Sequence, residues 1–411
     1  MIKEFDVVII GAGAAGMMAA VSASLSHKSC IILEKNKIAG KKLLITGKGR
    51  CNITNSADIE EIIKNFPGNG KFLYSTLYTF SNTDLIEFFN TNGLMTKEER
   101  GGRIFPVSDR SGDVVETLLK VLTEKKVPIL YNTAVKDLVL NNNVIDGVTT
   151  DKGDVFRCKS VIVATGGKSY PKTGSTGDGY VLAKKAGHNV IPPEPALVPL
   201  YVKESFVKEL MGLSLRNIGI TFYLPGGKKI FNDFGEMIFT HFGVSGPTVL
   251  TGSRVISNFG YKDCVIAIDL KPALDEKKLD MRLLRDFEKY SNKMYKNALD
   301  DLLPSKMIPV FVHLSKIDPE MQVNQITAEQ RKDIISLLKN FTVTVEKPAP
   351  LDEAIVTKGG VDVKEINSTT MESDIVKGLF FAGEVLDIDG FTGGYNLTAA
   401  FSTGYTAGYY A

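Results

Sequence analysis

The sequence predicts an α/β fold in which a parallel-sheet domain, assembled from both ends of the chain, is interrupted by a β-rich insertion carrying a small helical subdomain. Three observations predict it. Residues 6–20 read DVVIIGAGAAGMMAA, an apolar β-branched run that breaks into three glycines and reopens as an Ala-rich helix. A second apolar run, Cys30-Ile31-Ile32-Leu33, ends in Glu34. Glycine-rich sequence then returns near the C-terminus, after a middle that first alternates like strands and then turns charged and helical.

The first of these is a strand, a tight turn and a helix start. Gly11, Gly13 and Gly16 have the G-x-G-x-x-G spacing: the first permits the turn, the second lets backbone approach a pyrophosphate, and the third lets helix and strand pack closely. The helix start offers unpaired N–H groups and a positive dipole end to phosphates. Glu34 ends the next strand about twenty residues on, where a carboxylate accepts hydrogen bonds from ribose hydroxyls. Dinucleotide binding follows from the two together.

A chain of 411 residues exceeds what one core usually serves, so two or more domains are expected. The net charge of +2 leaves no large electrostatic footprint for nucleic acid or an anionic membrane. The cysteines Cys30, Cys51, Cys158 and Cys264 are scattered, with no C-x-x-C pair and no metal-ligand spacing with the histidines. That pattern suits a reducing compartment. The first strand begins almost at once, without a signal-peptide pattern, and no apolar run approaches the ~18 residues of a membrane span. The expectation is a soluble cytoplasmic protein that binds no metal.

Residues 39–55 mix glycines, cations and small hydrogen-bonding groups with little apolar periodicity, which reads as a working loop. Lys42, Lys48 and Arg50 would offset pyrophosphate charge and Asn52 would donate to a ring carbonyl. Cys51 has no second cysteine nearby, so it reads as a small loop residue and not half of a redox dithiol. Residues 71–92 carry apolar side chains at helical spacing, split by the cap cluster Ser81-Asn82-Thr83 into two helices. Residues 98–106 read as a loop ahead of a helix near 111–125, with Arg103 either a substrate-side cation or an ordinary surface charge. Short alternating strands occupy residues 129–163, with turns at Asn141-Asn142-Asn143 and Asp151-Lys152-Gly153. They end in Val163-Ala164-Thr165-Gly166-Gly167, a second backbone approach to the same dinucleotide.

Pro192-Pro193-Glu194-Pro195 stiffens the chain and marks the expected domain boundary. Beyond it, residues 218–223 and 229–231 alternate as strands around the turn Pro225-Gly226-Gly227. Residues 239–247, FTHFGVSGP, interrupt this region before an apolar helix. His241 within them is either a proton donor or substrate contact, or a satisfied structural histidine. Residues 275–340 are charged and helical, the last helix opening on a capping box at Thr327 and Gln330. Residues 341–345 resume the strand pattern before glycine-rich sequence returns. Gly383-Glu384 then places a carboxylate to bind a polyol such as ribitol, and a glycine-led helix aims its N–H groups at an electron-rich ring edge. The boundaries read as 1–191 and 347–411 for the nucleotide domain, 192–274 with 341–346 for the insertion, and 275–340 for the helical subdomain.

Five segments together, GAGAAG with Glu34, GKKLLITGKGRCNITN, GRIFPVSD, FTHFGVSGP and GLFFAGEVLDIDGFTGGYNL, resemble the aminoacetone-oxidase-like (BaiN/YhiN-type) FAD-dependent oxidoreductases over essentially the whole chain. The resemblance implies a glutathione-reductase-like Rossmann FAD domain, an inserted β-barrel-like domain and a helical subdomain over the flavin. It implies that FAD is held by Gly11, Gly13, Ala14, Ala15, Gly16, Glu34, Lys35, Lys42, Thr46, Gly47, Gly49, Arg50, Cys51 and Asn52. Val135, Thr165, Gly166, Gly383, Glu384, Gly394, Tyr395, Asn396 and Leu397 complete that set. Thr398 stands where glutamine would be expected, which removes a side-chain contact but no backbone contact.

Members of that family resemble amine oxidases of small aminoketones or reductases in bile-acid transformation. The expected reaction is therefore hydride transfer between a small organic substrate and flavin N5, as an oxidase of a small amine or a reductase of an activated double bond. No second G-x-G-x-x-G follows a mid-chain strand, so electrons either go to oxygen or arrive from a transiently bound donor such as NAD(P)H. Arg103, His241 with Ser245, and Tyr395 are the expected substrate-side residues. An RNA-modifying or nucleic-acid-binding flavoprotein is the alternative, and the near-neutral charge argues against it.

Overall fold

Strand β1 (Ile2–Ile10) lies inside a parallel sheet because Val7, Val8, Ile9 and Ile10 are buried whichever face they point to, the composition that a sheet covered on both faces requires. The computed structural model describes residues 2–411. Its chain divides into two units, one running to Ala196 and resuming over Leu351–Ala411, the other formed by Leu197–Pro350.

In the first unit β1 pairs with β2 (Cys30–Leu33) on one side and with the strand Val155–Val163 on the other. The strand Leu379–Phe381 adds to the far edge of Val155–Val163, so sequence from both ends of the chain shares one sheet. The register is level at one edge: Ile10 lies opposite Leu33 and Val163, and Val163 opposite Phe381. The glycine turn, Glu34, Thr165-Gly166 and Gly383-Glu384 therefore all emerge at the carboxyl ends of four neighbouring strands, where open α/β sheets bind ligands.

The first helix (Ala14–Leu25) and the C-terminal helix (Tyr395–Tyr410) lie against each other with almost no side chain between them. A Cβ added at Gly404 would run into the carbonyl of Ala15, and one at Gly408 into that of Ala19. This G-x-x-x-G spacing stands plainly in the sequence, although its partner helix does not.

Residues 98–106 are not a loop. Strand β3 (Thr54–Asn55) is followed by β4 (Thr96–Glu99) and β5 (Arg103–Pro106), and β5 pairs antiparallel with both. The turn between β4 and β5 takes positive φ at Gly101 (80°) and Gly102 (70°). The charged β4 has no strand propensity of its own and is held extended by β5, whose Ile104 and Phe105 are buried.

Pro192-Pro193-Glu194-Pro195 is likewise a strand, part of Val190–Ala196, paired with Val356–Val361 across a register shift between Ile191 and Glu194. A two-stranded ribbon has only edges, and prolines are tolerated where no ladder N–H is needed. The division between units consequently falls at Ala196/Leu197, past the prolines, and at Pro350/Leu351 on return.

The second unit is built on a closed barrel in the order Leu200–Val202, Gly243–Ser245, Lys229–Phe239, Ser214–Tyr223, Val265–Asp269, Phe341–Pro348. Phe222, Phe239, Phe341 and Ile268 fill its core together with Leu283, Phe311 and Leu338 from the helices Glu276–Lys289, Ile308–Ser315 and Ala328–Lys339. Thr327 and Gln330 form the expected capping box, exchanging hydrogen bonds of 2.9 and 3.2 Å. Among the described residues no helix is long and apolar enough to cross a membrane, and no cluster of His, Cys, Asp and Glu could hold a metal.

One buried histidine gives the first unit a pH dependence. The Ser373 hydroxyl oxygen accepts the N–H groups of Ile375 (3.0 Å) and Val376 (2.8 Å), so its own hydrogen goes to His188 Nε2 at 2.8 Å. His188 Nδ1–H then faces Glu365 at 3.1 Å. Burial pushes the imidazole below its usual value, against a smaller opposite pull from Glu365. The unfolded chain thus takes up a proton, as pH falls through about 6.5, that the folded chain refuses. Stability is full above that pH and declines as pH falls from it towards the lower folded-state value. His188→Gln should flatten this limb in urea titrations between pH 7 and pH 5; an unchanged slope would assign the acid sensitivity elsewhere.

Candidate functional site

The three glycines of the first turn are glycines for three different reasons. Gly11 has φ of +103°, and its Cβ would sit 2.7 Å from the Ala164 carbonyl oxygen. A Cβ on Gly16 would collide with the Gly11 carbonyl. Gly13 is different: its φ is −86°, and nothing lies within 4 Å of where a Cβ would be. Intramolecular packing therefore accounts for Gly11 and Gly16, and open space in front of Gly13 is where backbone can meet a pyrophosphate. Gly13 caps the first helix with no side chain, which leaves the N–H groups around Ala14 and Ala15 to an outside anion.

Glu34 is 7 % exposed. Its Oε2 accepts the Ala12 N–H at 2.8 Å, and its Oε1 accepts both the backbone N–H (2.7 Å) and the side-chain amide (2.8 Å) of Asn36. The carboxylate thus fixes the glycine turn at the carboxyl end of β2. Lys35 instead pairs with Asp178 at 2.6 Å. Val135 opens the strand Val135–Asn141, beside the Thr133 N–H that donates to the Glu34 carbonyl at 3.0 Å.

The loop after β2 holds two short helical turns within residues 43–49, separated by a kink at Thr46, Gly47 and Lys48. Cys51 reverses the chain at φ of 60°, buried, its N–H on the Thr46 carbonyl at 3.0 Å. Burial pushes its thiol up to about 11, which suits a packing residue and not a redox nucleophile. Gly49 has φ of 86° with open space at its Cβ.

Two of the loop's cations are engaged within the protein. Lys42 Nζ lies 2.6 Å from Glu384 and 2.7 Å from Ser169 Oγ. Arg50 pairs with Glu99 and Asp109, and its guanidinium lies 4.2 Å from the Phe105 ring centre. Lys48 stays exposed. Glu384, read from the sequence as a polyol acceptor, accepts the Thr357 N–H at 2.9 Å and the Ser169 hydroxyl at 3.1 Å besides pairing with Lys42. It ties together four segments that meet at the sheet edge.

Asn52 Oδ1 and Thr165 Oγ1 are among the seven buried side-chain polar atoms of the described residues that have no partner within the protein. Buried polar groups are seldom left so. Both belong to segments that face the dinucleotide edge, and with the open space at Gly13 they fit a bound FAD. Gly166 has φ of 73°. Gly383, at φ of 77°, donates its N–H to Thr403 Oγ1 of the C-terminal helix at 2.9 Å.

That helix starts at Gly394, which has φ of +103° and no side-chain cap. The Asn396 amide accepts from the Gly390 N–H at 2.8 Å and donates back to the Gly390 carbonyl at 2.7 Å, closing the preceding loop. Leu397 packs partly buried beside it. Thr398 is buried and its hydroxyl lies 2.7 Å from that of Thr54, so the expected glutamine has given way to an internal contact.

Of the expected substrate-side residues, Arg103 and Tyr395 lie in the first unit and His241 with Ser245 in the second. Arg103 is exposed on β5, its Nε donating to the Arg100 carbonyl at 3.0 Å and a terminal nitrogen 4.0 Å from Glu99. Tyr395 is buried against Phe66, and burial pushes its phenol up, which suits a packing role more than an acid. His241 is exposed in the turn before Gly243–Ser245, its ring edge-on to Phe242 at 4.9 Å.

Residues 5–410 match the family described as HI0933-like protein Rossmann domain. The chain belongs to that family. This HI0933-like protein is 35% identical over 97% of both chains to the 3-dehydro-bile acid delta(4,6)-reductase of Clostridium scindens. It is 33% identical to the ribosomal RNA dihydrouridine synthase of Haemophilus influenzae, over 97% of this chain and 96% of that one. The protein of the same name from Escherichia coli is 31% identical, over 98% and 97%. Among solved structures, 3-ketosteroid delta1-dehydrogenase from Sterolibacterium denitrificans superposes with a TM-score of 0.54 at 13% identity, covering 99% of each chain. The FrdA chain of E. coli quinol fumarate reductase does so at 0.53 and 16%, covering all of this chain and 70% of its own. These two share the fold. The HI0933-like chain is an FAD-dependent oxidoreductase.

Proposed function

We propose that this flavoprotein is a reductase that saturates a carbon–carbon double bond conjugated with a carbonyl, taking electrons from NAD(P)H. The observation behind this reading is that relatives at 35% and 33% identity, aligned over nearly their whole length, are named for such chemistry on different substrates. Reducing a 4,6-diene of a 3-oxo steroid and reducing uracil to dihydrouracil both add hydride to the carbon β to a carbonyl and a proton to the α carbon.

When bound and reduced, FAD supplies the hydride from N5. The chain supplies the rest. Gly13 backbone and the first helix hold the pyrophosphate, Glu34 the ribose, and Asn52 and Thr165 the polar atoms that would otherwise stay unpaired in the protein interior. The exposed Arg103 guanidinium binds the substrate carbonyl oxygen and stabilises the charge that gathers there as hydride arrives. The proton for the α carbon comes from a neighbouring acid or from water. NAD(P)H leaves as NAD(P)⁺, so electrons balance. The scattered cysteines, with no disulfide or metal-ligand spacing, support a reducing, cytoplasmic setting.

Anaerobic mixing separates the readings. NAD(P)H should bleach the flavin band without a second substrate, and an enone should then restore it. Bleaching by a small amine instead, with peroxide on re-aeration, would make the protein an oxidase and end the reductase reading. A second reading, uracil within ribosomal RNA as the acceptor, draws on the two relatives at 33% and 31% identity. Restoration of the band by a uridine-bearing RNA and not by a 3-oxo-4,6-diene steroid would select it. In either case Arg103→Ala should leave FAD content unchanged and lower turnover at least tenfold, ~1.4 kcal/mol of transition-state stabilisation. Joint loss of FAD and activity would make the arginine structural.

A further inference from the structure

We propose that Asn55 is a positioning residue that holds the turn carrying Arg103 in register with the glycine turn that opens the C-terminal helix. The side chain is 2 % exposed. One amide nitrogen makes two donations: to the Gly101 carbonyl at 3.0 Å and to the Gly393 carbonyl, 338 residues away in sequence, also at 3.0 Å. Its Oδ1 accepts the Ala57 N–H at 3.0 Å, which orients the amide. Both donors of the amide are thus used, and on two different turns.

The surroundings make this arrangement specific. Asn55 belongs to a strand of two residues, with Asn55 opposite Arg103 and Thr54 opposite Ile104. On the other side of the same strand the Thr54 hydroxyl meets Thr398 at 2.7 Å, and a Cβ at Gly394 would run into the Thr54 carbonyl. A Cβ at Gly102 would lie 2.6 Å from Asn55 Oδ1, so the hairpin turn closes directly on the amide. The Asn82 side chain donates to the Asn55 carbonyl at 2.7 Å, which holds the strand itself in place. Gly101 and Gly393 lie in turns, and the first is also closed by the pairing of Glu99 with Arg103. The amide sets both turns against one support. Arg103 begins just past the first turn and Tyr395 just past the second, so a drift of either turn moves the guanidinium relative to the helix start.

The inference rests on the roles proposed above for Arg103 and for bound FAD, and its test has a readout that needs no substrate. Asn55→Asp keeps the volume and the acceptor for Ala57 but turns both donations into repulsions with carbonyls. Asn55→Ala removes the amide without adding charge. Both should retain FAD. With the helix start displaced, the reduced flavin, which gains most from a positive helix end, should be bound about tenfold less tightly relative to the oxidised form. The midpoint potential should then fall by about 30 mV for the two-electron couple. With an accepted substrate, Asn55→Ala should lower kcat/KM at least tenfold in the parent protein and less than twofold when Arg103→Ala is already present. An unchanged potential, or losses that simply add, would overturn the proposal, as would loss of fold and FAD together in both variants. Absence of turnover with any enone or RNA would count against the reductase reading alone, and the potential would still decide the role of Asn55.

Discussion

Gly13→Val should give a folded protein that is colourless. The backbone at Gly13 has φ of −86° and ψ of −170°, an extended conformation that valine adopts readily. Nothing lies within 4 Å of the added Cβ, so no part of the protein has to move. What the side chain would meet is the space proposed above for the pyrophosphate, so the cost should fall on binding alone. FAD affinity should weaken by about 100-fold or more, ~2.8 kcal/mol, while circular dichroism stays unchanged. Gly16→Ala, three residues further on, should behave in the opposite manner, because its Cβ collides with the Gly11 carbonyl and the turn itself must deform. A yellow Gly13→Val protein with parent affinity would mean that the open space is not the pyrophosphate site.

Gly404→Val should destabilise the first unit by about 3 kcal/mol, since overpacking here cannot be relieved by a rotamer change. The atom in the way is the Ala15 carbonyl, fixed in the backbone of the first helix, and Gly408 meets Ala19 in the same manner one turn later. The two helices would have to separate along their length, and Thr403, which holds the Gly383 N–H, would move with them. The melting transition of that unit should fall by roughly 6–12 °C, with FAD lost alongside. A melting temperature within a degree of the parent would show that the helices can part without cost.

The features that were legible in the sequence are those where chemistry is local. A glycine that must turn the chain, a carboxylate at the end of a buried strand and a hydroxyl–glutamine capping box each act within a few residues of themselves. Gly11, Glu34 and Thr327 accordingly stand where the spacing puts them. Charged side chains were not legible in this way. Lys42 and Arg50 read as partners for phosphate, yet Lys42 reaches Glu384 across 342 residues and Arg50 reaches Asp109 across 59. Long flexible side chains take the nearest opposite charge, and sequence does not say which charge folding brings near.

The α/β class, the FAD fingerprint and the interrupted domain followed from the sequence by itself, because hydrophobic periodicity and glycine placement are properties of short segments. Only the tertiary structure decided that residues 96–99 and 190–196 are strands, since neither has the propensity and each is held by a partner distant in the chain. The same holds for Asn55 and for the Gly404/Gly408 seam. Their roles consist in what lies opposite them, and a side chain that joins two turns 292 residues of sequence apart is defined by the fold, as the separations of 46 and 338 residues to its two acceptors show.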